Sequence, residues 1–456
     1  MDPNEIAKQL EQADKEFVWH PFTQMKDWLE DEPLVITEGR DCFIKDVRGR
    51  WYLDAVSSIW VNIHGHRKKQ LDDAIKDQLD KIAHTTMLGL TNPPAAELAR
   101  RVAGILKDSF GEGAPQKVFY SDNGSTAVEV ALKMAFQYWR HKGETGRTTF
   151  LSLRNAYHGD TIGAVSVGGM DIFHEAFGPL LFKTHKAPCP HCFRCELGLE
   201  PDSCKMACLL EMENILEMHA STIAAVIIEP LMQGAAGMLV APAGYLKGVR
   251  ELCDRYGVLL IADEVATGFG RTGRMFACEH ESVVPDIICL SKGITGGYMP
   301  LAATVATREI YDAFLGQFSE LKTFFHGHSY TGNPLGCACA LACLDVFEDE
   351  GTIEHTQENV KVFGDWLEDI AKHPHVGDAR GAGMMAGVEL VRDKATNEPY
   401  DWQDNMGWKV ALAAREEGVV FRPLHNTIVL VPPLSISPEN LRLMCRVVAG
   451  AIEKVT

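Results

Sequence analysis

The stretch DIICLSKGITGG, residues 286–297, places one lysine, Lys292, between a short apolar run and a glycine-rich turn. The run reads as a buried strand, because a few apolar residues bounded by turn signals fit a strand covered on both faces. An ammonium at the end of such a strand is costly unless it is paired or takes part in chemistry. The same pattern recurs upstream in KVFYS (117–121), TTFLSL (148–153), IAAVIIEP (223–230) and VLLIAD (258–263). Amphipathic stretches such as STAVEVALKMAFQYW (125–139) and AGYLKGVRELCDRYG (243–257) lie between them. Apolar strands alternating with helices predict an α/β fold with a mostly parallel sheet covered on both faces.

The flanks read differently. GAGMMAGVELV (381–391) and VVFRPLHNTIVLVPP (419–433) read as strands, with helices near 354–372 and 438–455, which gives an α+β lobe. Near the start, DCFIKDVRGRWYLDA (41–55) reads as a hairpin turning at Arg48-Gly49. This N-terminal piece is predicted to pack on the C-terminal lobe, so that the smaller domain is discontinuous.

Composition narrows the function classes. The chain has 456 residues, 46% of them hydrophobic and 23% charged, which is ordinary for a soluble globular protein of two or three lobes. Lys and Arg number 44 against 62 Asp and Glu, a formal charge of -18, and no basic block stands out. Nucleic acid and anionic membrane surfaces are therefore disfavoured as partners. No apolar run is long enough to span a bilayer, and the first residues have no signal-peptide core. Thirteen cysteines without an export signal fit reduced thiols and a cytoplasmic location.

In open α/β sheets, ligands bind beyond the carboxyl ends of the strands. Asp122-Asn123-Gly124-Ser125 follows the first strand and opens a helix. Tyr157, His158 and Asp160 follow the second. Glu229 ends the third, Asp263-Glu264 the fourth, and Ser291-Lys292-Gly293 the fifth. Singly, each has an ordinary structural reading: Gly124-Ser125 as a turn and helix cap, Asp263-Glu264 as a solvated helix start. Together they offer a helix N-terminus for a phosphate, an aromatic for a flat ring, a carboxylate and a lysine. Pyridoxal phosphate requires those four things. The phosphate takes backbone N–H donors, and the ring nitrogen needs a carboxylate to keep its proton. The aldehyde needs a lysine for a Schiff base. Lys292 is the candidate Schiff-base lysine and proton carrier, and Asp263 the partner of the ring nitrogen. Gly124 and Ser125 are candidates for the phosphate, with Tyr157 over the ring.

The segment IIEPLMQGAAGM (227–238), with DEVATGFGRTG (263–273) and the Asp263-to-Lys292 spacing, resembles the class-III aminotransferases. The resemblance runs from about residue 17 to the end. It implies a fold-type-I architecture: a large domain with a mostly parallel seven-stranded sheet (66–335) and a discontinuous α+β small domain (1–65 and 336–456). WHPFTQM (19–25), SSIWVNIHGH (57–66), HGHSYTGNPLGCACA (326–340) and FRPLHNTIVLVPP (421–433) resemble the branch of that family serving biotin synthesis. That branch implies amine transfer to 8-amino-7-oxononanoate, giving 7,8-diaminononanoate, with adenosylmethionine as donor.

Carried over by residue, the resemblance implies that Lys292, Asp263 and Tyr157 are catalytic. Gly124, Ser125, His158 and Glu229 would hold the cofactor, and Asp160 would lie nearby. Ser329 would reach the phosphate of a neighbouring subunit, which implies a homodimer with shared sites. Phe22, Trp60, Tyr157, Gly327 and Arg422 would meet substrate, Arg422 through its carboxylate. Phe22, Ile59 and Ser329 depart from the branch's usual tyrosine, tryptophan and threonine. Lysine is the alternative donor. An ω-amino-acid or diamine:pyruvate transaminase, or an aminomutase or racemase on the same scaffold, is the alternative enzyme.

One motif stands outside this chemistry. CPHCFRCELGLEPDSCKMAC (189–208) holds Cys189, Cys192, Cys195, Cys204 and Cys208 within twenty residues. The spacing is compatible with zinc or an iron–sulfur cluster, but transaminase chemistry needs no metal, and a reduced, cysteine-rich loop is the simpler reading. A metal-binding interaction protein built on this loop is the non-enzymatic alternative.

Overall fold

The computed structural model describes residues 3–456. Its centre is a seven-stranded sheet. In chain order the strands are β1 (Lys117–Ser121), β2 (Thr149–Leu153), β3 (His185–Ala187), β4 (Ile223–Ile228), β5 (Leu259–Asp263), β6 (Ile287–Leu290) and β7 (Ala302–Ala306). They lie side by side as β1-β7-β6-β5-β4-β2-β3. Only β7 runs against its neighbours, pairing antiparallel with β6 and β1. Every residue of β4, β5, β6 and β7 is buried, as continuous apolar strands covered on both faces should be. The Gly124–His141 helix covers one face, packing Ala131, Leu132 and Ala135 with Ile227, Ile261 and Cys289. The helices Ala207–His219, Tyr245–Tyr256 and Pro334–Asp349 belong to the larger apolar cluster on the other.

The predicted strands fall where the apolar runs placed them. β3 and the antiparallel β7 went unread. β3 has three residues, too few for a periodic signal. AATVA at β7 is alanine-rich, which lowers its β signal.

The N-terminal hairpin forms as read: Phe43–Asp46 pairs antiparallel with Trp51–Asp54 around a turn in which Gly49 has φ +91°. Trp51–Asp54 also pairs in parallel with Val419–Val420, Leu53 lying opposite Val419. The first and last parts of the chain therefore share one sheet.

Two C-terminal readings are corrected. GAGMMAGVELV is strand on both sides of a turn at 383–384, holding the end of Val376–Ala382 and most of Met385–Asp393, which pair as a hairpin. Gly383 makes that turn at φ +61°, and a Cβ there would strike the Thr272 backbone. VVFRPLHNTIVLVPP is two short strands in different sheets, Val419–Val420 and Thr427–Leu430. The Pro423 ring removes a donor between them, which favours the break. No described helix is long and apolar enough to cross a membrane.

Candidate active site

Register brings the site together. β4, β5 and β6 are adjacent and parallel, with Ala262 opposite both Ile228 and Ile288. Their carboxyl ends therefore emerge side by side and carry Glu229, Asp263 and Lys292 to one edge. These residues line a cavity of about 730 Å³ with Gly124, Ser125, Tyr157, His158 and Trp60. Eight of the predicted site residues thus meet. Asp160 also lines the cavity.

Asp263 is buried and doubly held. Its Oδ2 lies 2.7 Å from His158 Nδ1, and its Oδ1 accepts from Val265 N at 3.1 Å. Among the described residues, His158 Nε2 is buried without a partner. Glu229 spans the wall: Tyr157 N donates to its Oε1 at 3.0 Å and Gly234 N to its Oε2 at 2.9 Å. Burial, with the Asp263 carboxylate nearby, pushes Glu229 up to about 7, against the pull of His158.

Lys292 stands at φ +45° where β6 turns into the glycine-rich loop. Burial pulls its ammonium down to about 8, although Asp263 and Glu229 favour the charge. Its Nζ lies 4.6 Å from the centre of the Trp60 ring, and no hydrogen bond or ion pair engages it among the described residues. The burial that a proton carrier needs is present, and so is a free amine.

The Gly124 end of the cavity is built on a capped helix. Asn123 accepts from Thr126 N at 3.0 Å and starts the Gly124–His141 helix. A Cβ at Gly124 would come within 2.5 Å of Val265 Cγ1, so only glycine lets this end approach so closely. Ser125 Oγ lies 2.8 Å from Thr161 Oγ1 and accepts from Thr161 N at 3.0 Å. Tyr157 is half-buried, its hydroxyl donating to Asp160 at 2.8 Å; burial and that carboxylate push the phenol well above its ordinary value.

Trp60 ends an unusual turn. Ser57, Ser58, Ile59 and Trp60 have φ of +50°, +49°, +72° and +66°. Left-handed backbone costs roughly 1–2 kcal/mol for each such residue, most for branched Ile59, so the turn exists only because its surroundings impose it.

The remaining predicted residues lie apart. Phe22, Gly327, Ser329 and Arg422 are not in the cavity lining. Gly327 and Ser329 are exposed in the segment before the Pro334–Asp349 helix. Arg422 Nη2 donates to Phe22 O at 2.7 Å, joining the start of the chain to its end. Phe22 packs edge-on against Phe173 at 5.2 Å.

Sequence reasoning missed several wall residues: Val265, Thr161 and Met299. Val265 follows Asp263 by two positions and was open to discovery by extending each strand end two residues further. Glu264 is no solvated helix start. It is 0% exposed and accepts from Thr267 Oγ1 at 2.6 Å, Cys278 N at 2.8 Å and Ala277 N at 3.0 Å. It organises the DEVATGFGRTG loop from inside.

The cysteines of the 189–208 loop are all free. Cys189 is buried, with Sγ donating to Gln233 Oε1 at 2.9 Å; the other four are half-buried. Among the described residues, no group of three or more His, Cys, Asp or Glu side chains is placed to hold a metal ion.

The residues fit pyridoxal phosphate. An unengaged buried lysine, a carboxylate locked by histidine and the first turn of the Gly124–His141 helix all face one cavity. Comparison agrees: residues 25–452 match the family described as aminotransferase class-III. The chain belongs to the class-III aminotransferases. It is 54% identical, over all of its length and 99% of the other's, to the adenosylmethionine-8-amino-7-oxononanoate aminotransferase of Geobacter sulfurreducens. The crystal structure of the enzyme so named from Methanocaldococcus jannaschii superposes with a TM-score of 0.93 at 47% identity, covering 98% of this chain and 99% of that one. An amine transaminase from an uncultivated Pseudomonas species, in its PLP-bound form, gives 0.90 at 40% identity over 96% and 99%.

Proposed function

We propose that the protein is a pyridoxal-phosphate-dependent aminotransferase that converts 8-amino-7-oxononanoate to 7,8-diaminononanoate in biotin synthesis, with adenosylmethionine as amino donor. What carries the class is the Lys292 amine, unengaged and facing Asp263–His158 at the ends of adjacent strands. What carries the particular reaction is full-length identity of 44–54% to relatives from five bacteria and an archaeon, all named for it.

Bound there, the cofactor supplies an aldehyde for amine exchange and a ring that withdraws electrons from the reacting carbon. Lys292 would hold it covalently. Asp263, braced by His158, keeps the ring nitrogen protonated. The N–H groups at Gly124 and Ser125, at the positive end of the helix, take the phosphate. The Tyr157 side chain covers a ring face. Lys292 Nζ, with a pKa near 8, takes and returns the migrating proton near neutral pH. Trp60 excludes water from that amine. Arg422 offers a planar guanidinium to the substrate carboxylate, beside Phe22.

The protein acts as a homodimer, with Ser329 of each chain reaching the phosphate of its partner. The exposure of Ser329 and of the apolar neighbours Phe325 and Tyr330 supports that reading. Residues 66–335 form the cofactor domain, and 1–65 with 336–456 the smaller one. The pairing of Leu53 with Val419 supports that division.

The test is single-turnover amine transfer. Adenosylmethionine or lysine is added to the loaded enzyme, then 8-amino-7-oxononanoate, while the cofactor's absorbance is followed. Loss of the absorbance with adenosylmethionine and return with the keto acid is the expected result. Response to lysine alone changes the donor, and no return with the keto acid overturns the biotin assignment.

A further inference from the structure

The Ser57–Trp60 turn needs an agent to hold it, and the structure offers one that does not touch the cavity. Asp54 ends the Trp51–Asp54 strand and is 1% exposed. Its Oδ1 accepts from Val56 N at 3.2 Å, its Oδ2 accepts from Ser58 Oγ at 3.1 Å, and His66 Nε2 lies 3.4 Å from the same oxygen. The carboxylate thus holds the start of the turn, at the residue before it and at its second residue. Backbone bonds close it, Trp60 N to Val56 O at 2.7 Å and Val61 N to Ser57 O at 2.9 Å. Ser57 Oγ ties its base to Val431 O at 2.6 Å. At the far end the Trp60 indole is 8% exposed, and Gly234 leaves it room: a Cβ there would come within 3.1 Å of Trp60 Cζ3.

We propose that Asp54 is a positioning residue for the reaction: its buried carboxylate holds Ser57–Trp60 in the left-handed conformation and so keeps the Trp60 ring against the Lys292 amine. The assignment rests on the reading of Lys292 as the cofactor lysine. Asp54 does not line the cavity; besides Trp60, its charge reaches Lys292 only by way of buried Arg271, a route that survives loss of the indole. Two readouts separate this from a general role in folding. If Asp54 works through Trp60, its loss adds nothing once the indole is gone, because residues acting in series are non-additive. If it works by imposing left-handed backbone, glycine at the most strained position replaces it, since glycine adopts that conformation without penalty.

The experiment follows the rate at which full-length apoprotein captures pyridoxal phosphate, together with its thermal midpoint. Asp54→Ala and Trp60→Ala are each expected to slow capture roughly tenfold or more, because small misplacements of a reacting group have large kinetic effects. Asp54→Ala/Trp60→Ala is expected to be no slower than Trp60→Ala, and Asp54→Ala/Ile59→Gly to recover most of the rate. If Asp54→Ala fails to fold, Asp54→Asn, which keeps one acceptor, takes its place in the same cycle with a smaller loss. Wild-type rate in the Asp54 variants, multiplied losses in the double variant, or no recovery with glycine overturns the assignment. A wild-type apoprotein that captures no pyridoxal phosphate overturns the functional reading itself, and this inference with it.

Discussion

The strand-end cavity and the 189–208 loop carry similar numbers of chemically capable side chains, yet only the first hangs them from paired strands around a cavity. Lys292, Asp263 and Glu229 hang from adjacent parallel strands, so hydrogen-bonded register fixes where each side chain emerges. The cysteines sit mostly on irregular backbone with no such register. Burial and neighbouring thiols push Cys192 up and Cys208 up to about 11, which leaves both protonated at neutral pH. A thiolate is the metal ligand and nucleophile, and among the described residues no cation beside these two thiols favours that form. Spacing in the sequence proposes chemistry in both regions; strand register and charge setting separate them.

The contrast can be broken from either side. On the proposed function, Lys292→Ala should reduce amine transfer by roughly 10⁴-fold or more, since it would remove both covalent attachment and the proton carrier. Mass spectrometry after borohydride reduction should find no cofactor on the chain. Retention of the cofactor on another lysine would break the comparison outright. Asp263→Asn should lower transfer roughly 10²- to 10³-fold, with the loss in kcat rather than KM, because a neutral partner no longer holds the ring proton.

Glu229 gives a pH signature in the apoprotein. Its folded value near 7 lies above the ordinary 4.5, so the folded state binds the extra proton between those values. Stability is fully present below about 4.5 and should fall as pH rises through 7, by on the order of 3 kcal/mol from this group. Denaturant midpoints across that range should show the slope in wild type and a reduced slope in Glu229→Gln. An equal slope in the variant would assign the effect to another group.

Gly124→Ala sharpens the phosphate end. The new Cβ must displace Val265, and cofactor affinity should weaken about tenfold, near 1.4 kcal/mol, in an equilibrium titration. The smallest effect belongs to the loop. Cys192→Ser, Cys204→Ser and Cys208→Ser should each alter stability by only about 0.5 kcal/mol and leave transfer unchanged. Stoichiometric zinc or iron in the purified protein would place the loop among built sites and erase the contrast.

The amino-acid sequence by itself determined the apolar strands β1, β2, β4, β5 and β6, the helices between them, and the residues just past each strand. Periodicity and strand length are local properties, and Lys292 and Asp263 were legible because functional groups follow strand ends. The Asp263-to-Lys292 spacing likewise read directly. What the sequence did not determine was adjacency. That β4, β5 and β6 are neighbours, that β7 inserts antiparallel beside β6, and that Leu53 pairs with Val419 depend on hydrogen bonds between distant segments. Nor did it expose Glu264, whose charge reads as surface until three donors enclose it. The left-handed turn at Ser57–Trp60 is the extreme case: every residue in it prefers another backbone conformation. Only the tertiary surroundings, with Asp54 buried beneath, decide that the indole faces Lys292.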